Sequence, residues 1–222
     1  MADRQAMISV RDLYKSFDGK QVLTGVNLDV EEGTTCVILG GSGSGKTVLM
    51  KHIIGLLKPD SGQVFVDGED VVPLDDLEME RVRRKFGMVF QGAALFDSMT
   101  VYENVAFPLR EHAKLSEAEM RKRVGLARAI VRDPKIVLYD EPTTGLDPIT
   151  TDYVDEMILT AKAKLGVTSL VISHDVASAF KVADQIAFLA EGRIVAHAPP
   201  AEVRRSTHPA VKLFLSTWFG KN

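Results

Sequence analysis

The chain has 222 residues, 45% of them hydrophobic and 26% charged, with a formal net charge of −3 and a pI near 6.0. That is one large domain, or a domain with a small appendage, rich enough in apolar residues for a substantial core. It excludes the overall positive field of a nucleic-acid binder, and its single cysteine excludes a disulfide within the chain. No apolar run approaches the roughly 20 residues of a spanning helix. Met1-Ala2-Asp3-Arg4-Gln5 lacks a signal-peptide core, so the expected location is the cytoplasmic side.

In chain order, residues 7–14 and 22–31 alternate apolar and polar side chains, which predicts two strands of a half-exposed antiparallel layer joined at Asp18-Gly19-Lys20. Thr35-Cys36-Val37-Ile38-Leu39 reads as a strand in which Cys36 is a small buried hydrophobe rather than a reactive thiol. Lys58-Pro59-Asp60-Ser61-Gly62 breaks the chain before a short strand and turn over 63–68. A helix is expected over 74–85, basic at its end, and a strand over 87–90. Ser116 and Glu119 form a capping-box pattern that opens a helix over 116–132. Ile136-Val137-Leu138-Tyr139 is a continuous apolar run, the mark of a central parallel strand. Helices over 149–165 and 175–183, a strand over 168–172 and a strand pair within 185–198 complete an alternation that argues a doubly wound α/β core. At the end, Val211, Phe214, Leu215, Trp218 and Phe219 fall on one apolar helical face, which either packs on its own domain or docks on a neighbour.

Between the strand ending at Leu39 and the helical run from Val48 lies Gly40-Gly41-Ser42-Gly43-Ser44-Gly45-Lys46-Thr47, a P-loop in the strand, loop, helix context the motif requires. Small residues let successive backbone N–H groups turn inward around a polyphosphate, and the following helix adds the positive end of its dipole. Lys46 is expected on the terminal phosphates of ATP and the Thr47 hydroxyl on Mg²⁺. Asp140 and Glu141 come directly after the buried strand, Asp140 placed to hold the metal and Glu141 to take a proton from the attacking water.

With Gln91, Asp140-Glu141-Pro142-Thr143, Gly145-Leu146-Asp147-Pro148 and Ile172-Ser173-His174-Asp175, the chain resembles the ATP-binding-cassette (ABC) ATPases, motif by motif and in the family's order, over nearly its whole length. The resemblance implies a P-loop NTPase fold of ABC type: a mostly parallel central sheet flanked by helices, an N-terminal antiparallel β layer and a helical subdomain. It implies that Gln91 senses the γ-phosphate and ligates Mg²⁺, that His174 contacts the γ-phosphate, and that Asp147 faces the second ATPase subunit of a homodimer. Phe17 is the candidate to stack on adenine, with Tyr14 the runner-up. Finer matches, Phe86 to Val101, Asn104 to His112 and the tail from Ala190 to Phe219, are similar to the ATPases of Mla/Mce-type phospholipid transporters. That likeness implies membrane permease subunits and a small STAS-like regulatory subunit as partners, a peripheral place on the cytoplasmic face of the inner membrane, and a tail reaching across the dimer. The expected division is an ATP-binding domain over 1–198 and a helical tail over 199–222.

One family motif is absent from the sequence. The L-S-G-G-Q-like signature, whose glycines bring backbone donors to the partner subunit's γ-phosphate, has no match. Met120-Arg121-Lys122-Arg123-Val124-Gly125-Leu126-Ala127-Arg128-Ala129 resembles the family's segment just after the signature, yet Leu115-Ser116-Glu117-Ala118-Glu119 precedes it and looks like the start of the helical subdomain. The expectation is a shortened subdomain over 91–130. Glu117 and Glu119 in place of glycines would set carboxylates against a triphosphate, at a cost on the order of 4 kcal/mol per charge pair. The sequence therefore supports an ATPase subunit that binds ATP and turns it over poorly. The alternative is a non-hydrolysing nucleotide-binding regulatory module; an ABC ATPase acting on DNA is disfavoured by the charge and by the lack of a heptad insertion.

Overall fold

The computed structural model describes residues 6–89 and 134–219. The expected helix over 116–132, its Ser116–Glu119 cap and the segment expected to be shortened over 91–130 lie outside those residues.

Two sheets organise the described residues. The first is antiparallel: β1 (Ala6–Phe17), β2 (Lys20–Glu31), β4 (Ser61–Val66) and β5 (Glu69–Asp70), in the order β2-β1-β4-β5. It is the N-terminal layer that the alternating pattern predicts, and it turns Met7, Ile8, Val10, Leu13, Leu23, Val26 and Leu28 inward. The second holds β3 (Thr35–Leu39), β6 (Phe86–Val89), β7 (Ile136–Asp140), β8 (Thr168–Ser173), β9 (Gln185–Ala190) and β10 (Arg193–Ala198), in the order β10-β9-β3-β8-β7-β6. Its pairings are parallel except for β9 with β10, an antiparallel hairpin at the edge. β3 and β8 are buried at every residue, as strands covered on both faces must be; the apolar run of β3 carries that signal, whereas β8 buries Thr168, Ser169 and Ser173 as well. Cys36 is buried inside β3, and burial pushes its thiol up to about 12, so it acts as the apolar filler expected of it.

The helices among the described residues are α1 (Lys46–Ile53), α2 (Asp76–Arg83), α3 (Pro148–Leu165), α4 (Val176–Val182), α5 (Pro200–Val203) and α6 (Pro209–Phe219). Their starts follow local chemistry. Asp75 and Glu78 close a capping box on α2, Asp147 caps α3 with Pro148 at its first position, and Asp175 caps α4.

Two clips hold the sheets together. The Thr24 N–H donates to the Gly192 carbonyl at 2.8 Å and its hydroxyl to the Glu191 carbonyl at 3.0 Å, tying β2 to the β9–β10 turn. The Asp67 carboxylate, in the β4–β5 turn, accepts from Lys85 at 2.8 Å and Lys135 at 2.9 Å, which flank the starts of β6 and β7. α6 packs back on the parallel sheet: Val211 and Leu215 are buried, and Phe214 meets Phe188 of β9 edge to face at 5.1 Å.

Candidate functional site

β3, β7 and β8 are neighbours and parallel, so their C-terminal ends open onto one edge, where an α/β sheet presents its ligands. The P-loop leaves β3, Asp140 and Glu141 leave β7, and His174 leaves β8. A cleft of about 670 Å³ opens there, lined by residues 41–48, Val22, Glu141, His174, Phe214 and Trp218; Asp140 is not part of its lining.

The loop's shape is fixed at its two ends. A Cβ on Gly40 would stand 2.4 Å from the Leu189 carbonyl oxygen, so the strand exit admits only glycine. Gly45 caps α1 at φ 101°, in the left-handed region, with Leu23 of the antiparallel layer 3.0 Å from where a Cβ would be. α1 then starts at Lys46 and presents its first amides and dipole to the cleft.

Lys46 is only 6% exposed. Its Nζ donates to the carbonyls of Gly40 at 2.9 Å and Gly41 at 3.1 Å and lies 3.9 Å from Glu141 Oε1. Burial holds its pKa below the usual lysine range, opposed by the charges of Glu141 and Asp140. The ammonium is therefore a cation short of partners, borrowing the loop's own carbonyls.

Glu141 is a non-glycine residue at φ 51°, a left-handed conformation that costs on the order of 1 kcal/mol and is retained where the surroundings dictate it. Its N–H donates to the Ile172 carbonyl at 2.9 Å, binding the end of β7 to the end of β8. Its Oε2 accepts from the Thr144 hydroxyl at 2.7 Å and pairs with His174 Nδ1. The sequence placed Glu141 and His174 in the same site but held no sign that they touch; 33 residues separate them.

Asp140 is half-buried, and burial, helped by the neighbouring Glu141, raises its pKa above the ordinary carboxylate range. Its Oδ1 is a buried acceptor without a hydrogen-bond partner among the described residues. A buried carboxylate oxygen left open, with the Thr47 hydroxyl on the same loop-and-strand edge, fits a hard cation shared with phosphate oxygens and water. Among the described residues no cluster of three acidic, histidine or cysteine side chains forms an all-protein metal cage, which that arrangement does not need.

The other expected residues fare differently. Gln91 lies outside the described residues. Phe17, at the end of β1, is 40% exposed with Lys15 Nζ 5.4 Å from its ring centroid, and Tyr14 rests its hydroxyl over Gly25. Neither lines the cleft; Val22 of β2 does. Asp147 Oδ1 accepts from the amides of Ile149 and Thr150, and its Oδ2 from the Thr150 hydroxyl, so the carboxylate is engaged in starting α3. Phe214 and Trp218 lining the cleft were not foreseen, because helical periodicity says which residues share a face and not what that face meets.

A family model described as ABC transporter matches residues 23–120. The chain is 38% identical to the probable ribonucleotide transport ATP-binding protein mkl of Mycobacterium leprae, over 94% of this chain and 68% of that protein. It is 34% identical to the intermembrane phospholipid transport system ATP-binding protein MlaF of Escherichia coli K12, over 94% of this chain and 88% of that one. The chain belongs to the ABC transporter ATP-binding family. Its fold matches MJ0796, a bacterial ABC transporter cassette solved as a dimer, with a TM-score of 0.80 and 30% identity over 87% of this chain and 99% of that one. The same cassette in a post-hydrolysis state, bound to ADP and Pi, gives 0.79. As an ABC family member the protein is the ATP-binding subunit of a transporter and an ATPase, from a family whose cassettes dimerise and pair with membrane permease subunits. No helix among the described residues is long and apolar enough to cross a membrane.

Both relatives align over 237 positions, whereas 94% of 222 residues is about 209, so about 28 positions in each ABC relative face no residue of this chain. The family match ends at residue 120, where the run beginning Met120-Arg121-Lys122-Arg123 starts.

Proposed function

We propose that this chain is the ATPase of a phospholipid transporter, a peripheral subunit on the cytoplasmic face of the inner membrane that binds ATP with magnesium and drives a permease as one half of a dimer. The observation that carries the reading is the convergence of Lys46, Glu141 and His174, from the ends of three adjacent parallel strands, on the P-loop cleft, with Asp140 preceding Glu141 at the end of β7. The likeness to MlaF supports the lipid cargo; the likeness to mkl, whose name says ribonucleotide transport, favours a nucleotide cargo instead. A row of exposed apolar residues on α3, Ile149, Tyr153 and Met157, begins beside Asp147 and supports a protein partner at that end of the molecule.

In the proposed cycle, Lys46 exchanges the Gly40 and Gly41 carbonyls for phosphate oxygens while the α1 amides take the rest of the polyphosphate. Glu141, oriented by Thr144 and His174, accepts the proton of the attacking water, and His174 reaches the γ-phosphate from the end of β8. Thr47, Asp140 and Gln91 would hold magnesium, which neutralises charge between the β- and γ-phosphates. Phe17 is kept as the candidate to stack on adenine although it stands outside the cleft's lining, and Asp147 faces the second subunit from the cap of α3. The absent signature, together with the unmatched alignment positions, supports a shortened helical subdomain and slow hydrolysis. A lost transition-state donor costs about 10²–10³ in rate. The same gap favours the second reading, a nucleotide-binding module that regulates a partner without turnover.

The cargo is tested by reconstituting the chain with its permease in vesicles carrying a fluorescent phospholipid and, separately, a labelled ribonucleotide. ATP-dependent movement of the phospholipid is expected. Ribonucleotide uptake without lipid movement would overturn the lipid assignment.

A further inference from the structure

The P-loop cleft has a wall that the nucleotide-binding motifs do not account for. Phe214 and Trp218, four residues apart on α6, line it together with Gly41 to Val48. α6 is not loosely laid there. Val211 is fully buried and Leu215 nearly so, and Phe214 meets Phe188 edge to face; Leu189, next along β9, is the residue whose carbonyl closes on Gly40. The helix and the loop are thus anchored on the same strand, which fixes their spacing. Trp218 continues the stripe of Val211 and Leu215 but leaves the core: it is 44% exposed, a large apolar ring lining a cavity that also holds a lysine, a carboxylate and a histidine.

A ring in that position has two functions open to it, stacking and N–H donation, and both suit a nucleotide. We infer that Trp218 is a nucleotide-contacting residue, supplied in cis by the C-terminal helix, that covers the bound nucleoside triphosphate where α6 borders the cleft. The inference rests on the cleft being the ATP site. It also answers the choice left open for the apolar tail: its buried positions hold the helix on its own domain, and its exposed end serves the ligand.

Trp218 is the single tryptophan of the chain, so its emission reports this position alone. The full chain is titrated with ATP and magnesium while binding is followed by calorimetry and the tryptophan by emission and acrylamide quenching. Emission is expected to change with the calorimetric midpoint, and the acrylamide quenching constant to fall at least about twofold as the ring is covered. Trp218→Ala is expected to bind ATP about tenfold more weakly and Trp218→Phe to recover most of that, the scale of one aromatic–base contact. If calorimetry shows ATP bound while Trp218 emission and quenching stay unchanged, or if Trp218→Ala binds as tightly as the parent, the inference is wrong and the ATP site stands. If no ATP binds at all, the site assignment falls and the inference with it. Circular dichroism of the Ala variant separates lost affinity from lost fold; should it unfold, the quenching result on the parent chain decides alone.

Discussion

Lys46 is the residue whose energetics say most about the site. A buried ammonium with its pKa held down by desolvation, paired among the described residues with two loop carbonyls and a carboxylate 3.9 Å away, is better served by a polyphosphate. Lys46→Ala is expected to weaken ATP binding at least about 100-fold in a calorimetric titration, with the thermal midpoint moved by only about a few degrees, because the charge removed was already poorly solvated. Undiminished affinity would contradict this. Glu141 bears on turnover rather than binding. Glu141→Gln keeps the hydrogen bond from Thr144 but cannot take a proton, so ATP affinity is expected to persist while steady-state phosphate release falls by about 10² or more. The candidate residues were legible in the residue order because the pattern is local, a glycine loop after a strand and acids after another. The contact of Glu141 with His174 was not, since it depends on β7 and β8 lying side by side.

At the scale of elements, the starts of helices and the joints between sheets carry the testable weight. Asp147 offers both carboxylate oxygens to the first turn of α3, so Asp147→Ala is expected to lower the thermal midpoint by about 2–4 °C and Asp147→Asn by less, since asparagine caps nearly as well. Equal loss in both variants would contradict the capping role. Asp-Pro before a periodic run is a start signal that sequence alone provides. The Asp67 clip is of another kind. Hydrogen bonds from Lys85 and Lys135 hold its carboxyl below the usual value of 3.8, so the folded state binds fewer protons than the unfolded one across that window. The clip is at full strength above pH 3.8 and is lost as the pH falls through the lowered folded-state value. Asp67→Asn is therefore expected to lower the midpoint by about 1–3 °C at pH 7, with the difference shrinking toward zero in strong acid; a gap that widens in acid would refute it. Nothing in the sequence pairs residue 67 with residues 85 and 135, because the joint forms only once the two sheets are stacked.

For the whole molecule, the order β10-β9-β3-β8-β7-β6 makes sense of which features could be read in advance. Apolar runs at β3 and β7 marked the buried centre, and the alternation in β1 and β2 marked the layer with one wet face. The part of the cleft lined by α6 escaped because Phe214 and Trp218 share it with a loop more than 160 residues earlier in the chain, a distance no periodicity spans. The chain as a whole, lacking the signature run, is expected to hydrolyse ATP at well below about 1 s⁻¹ even with magnesium, at or under the slow end of enzyme turnover. The measurement that bears most directly on the central claim is a structure determined with magnesium and a non-hydrolysable ATP analogue. It should show the polyphosphate within residues 40–47, Lys46 drawn off the Gly40 and Gly41 carbonyls onto phosphate oxygens, and Asp140 turned toward the cation. An empty loop under saturating analogue, or Asp140 facing away from any metal, would contradict the account.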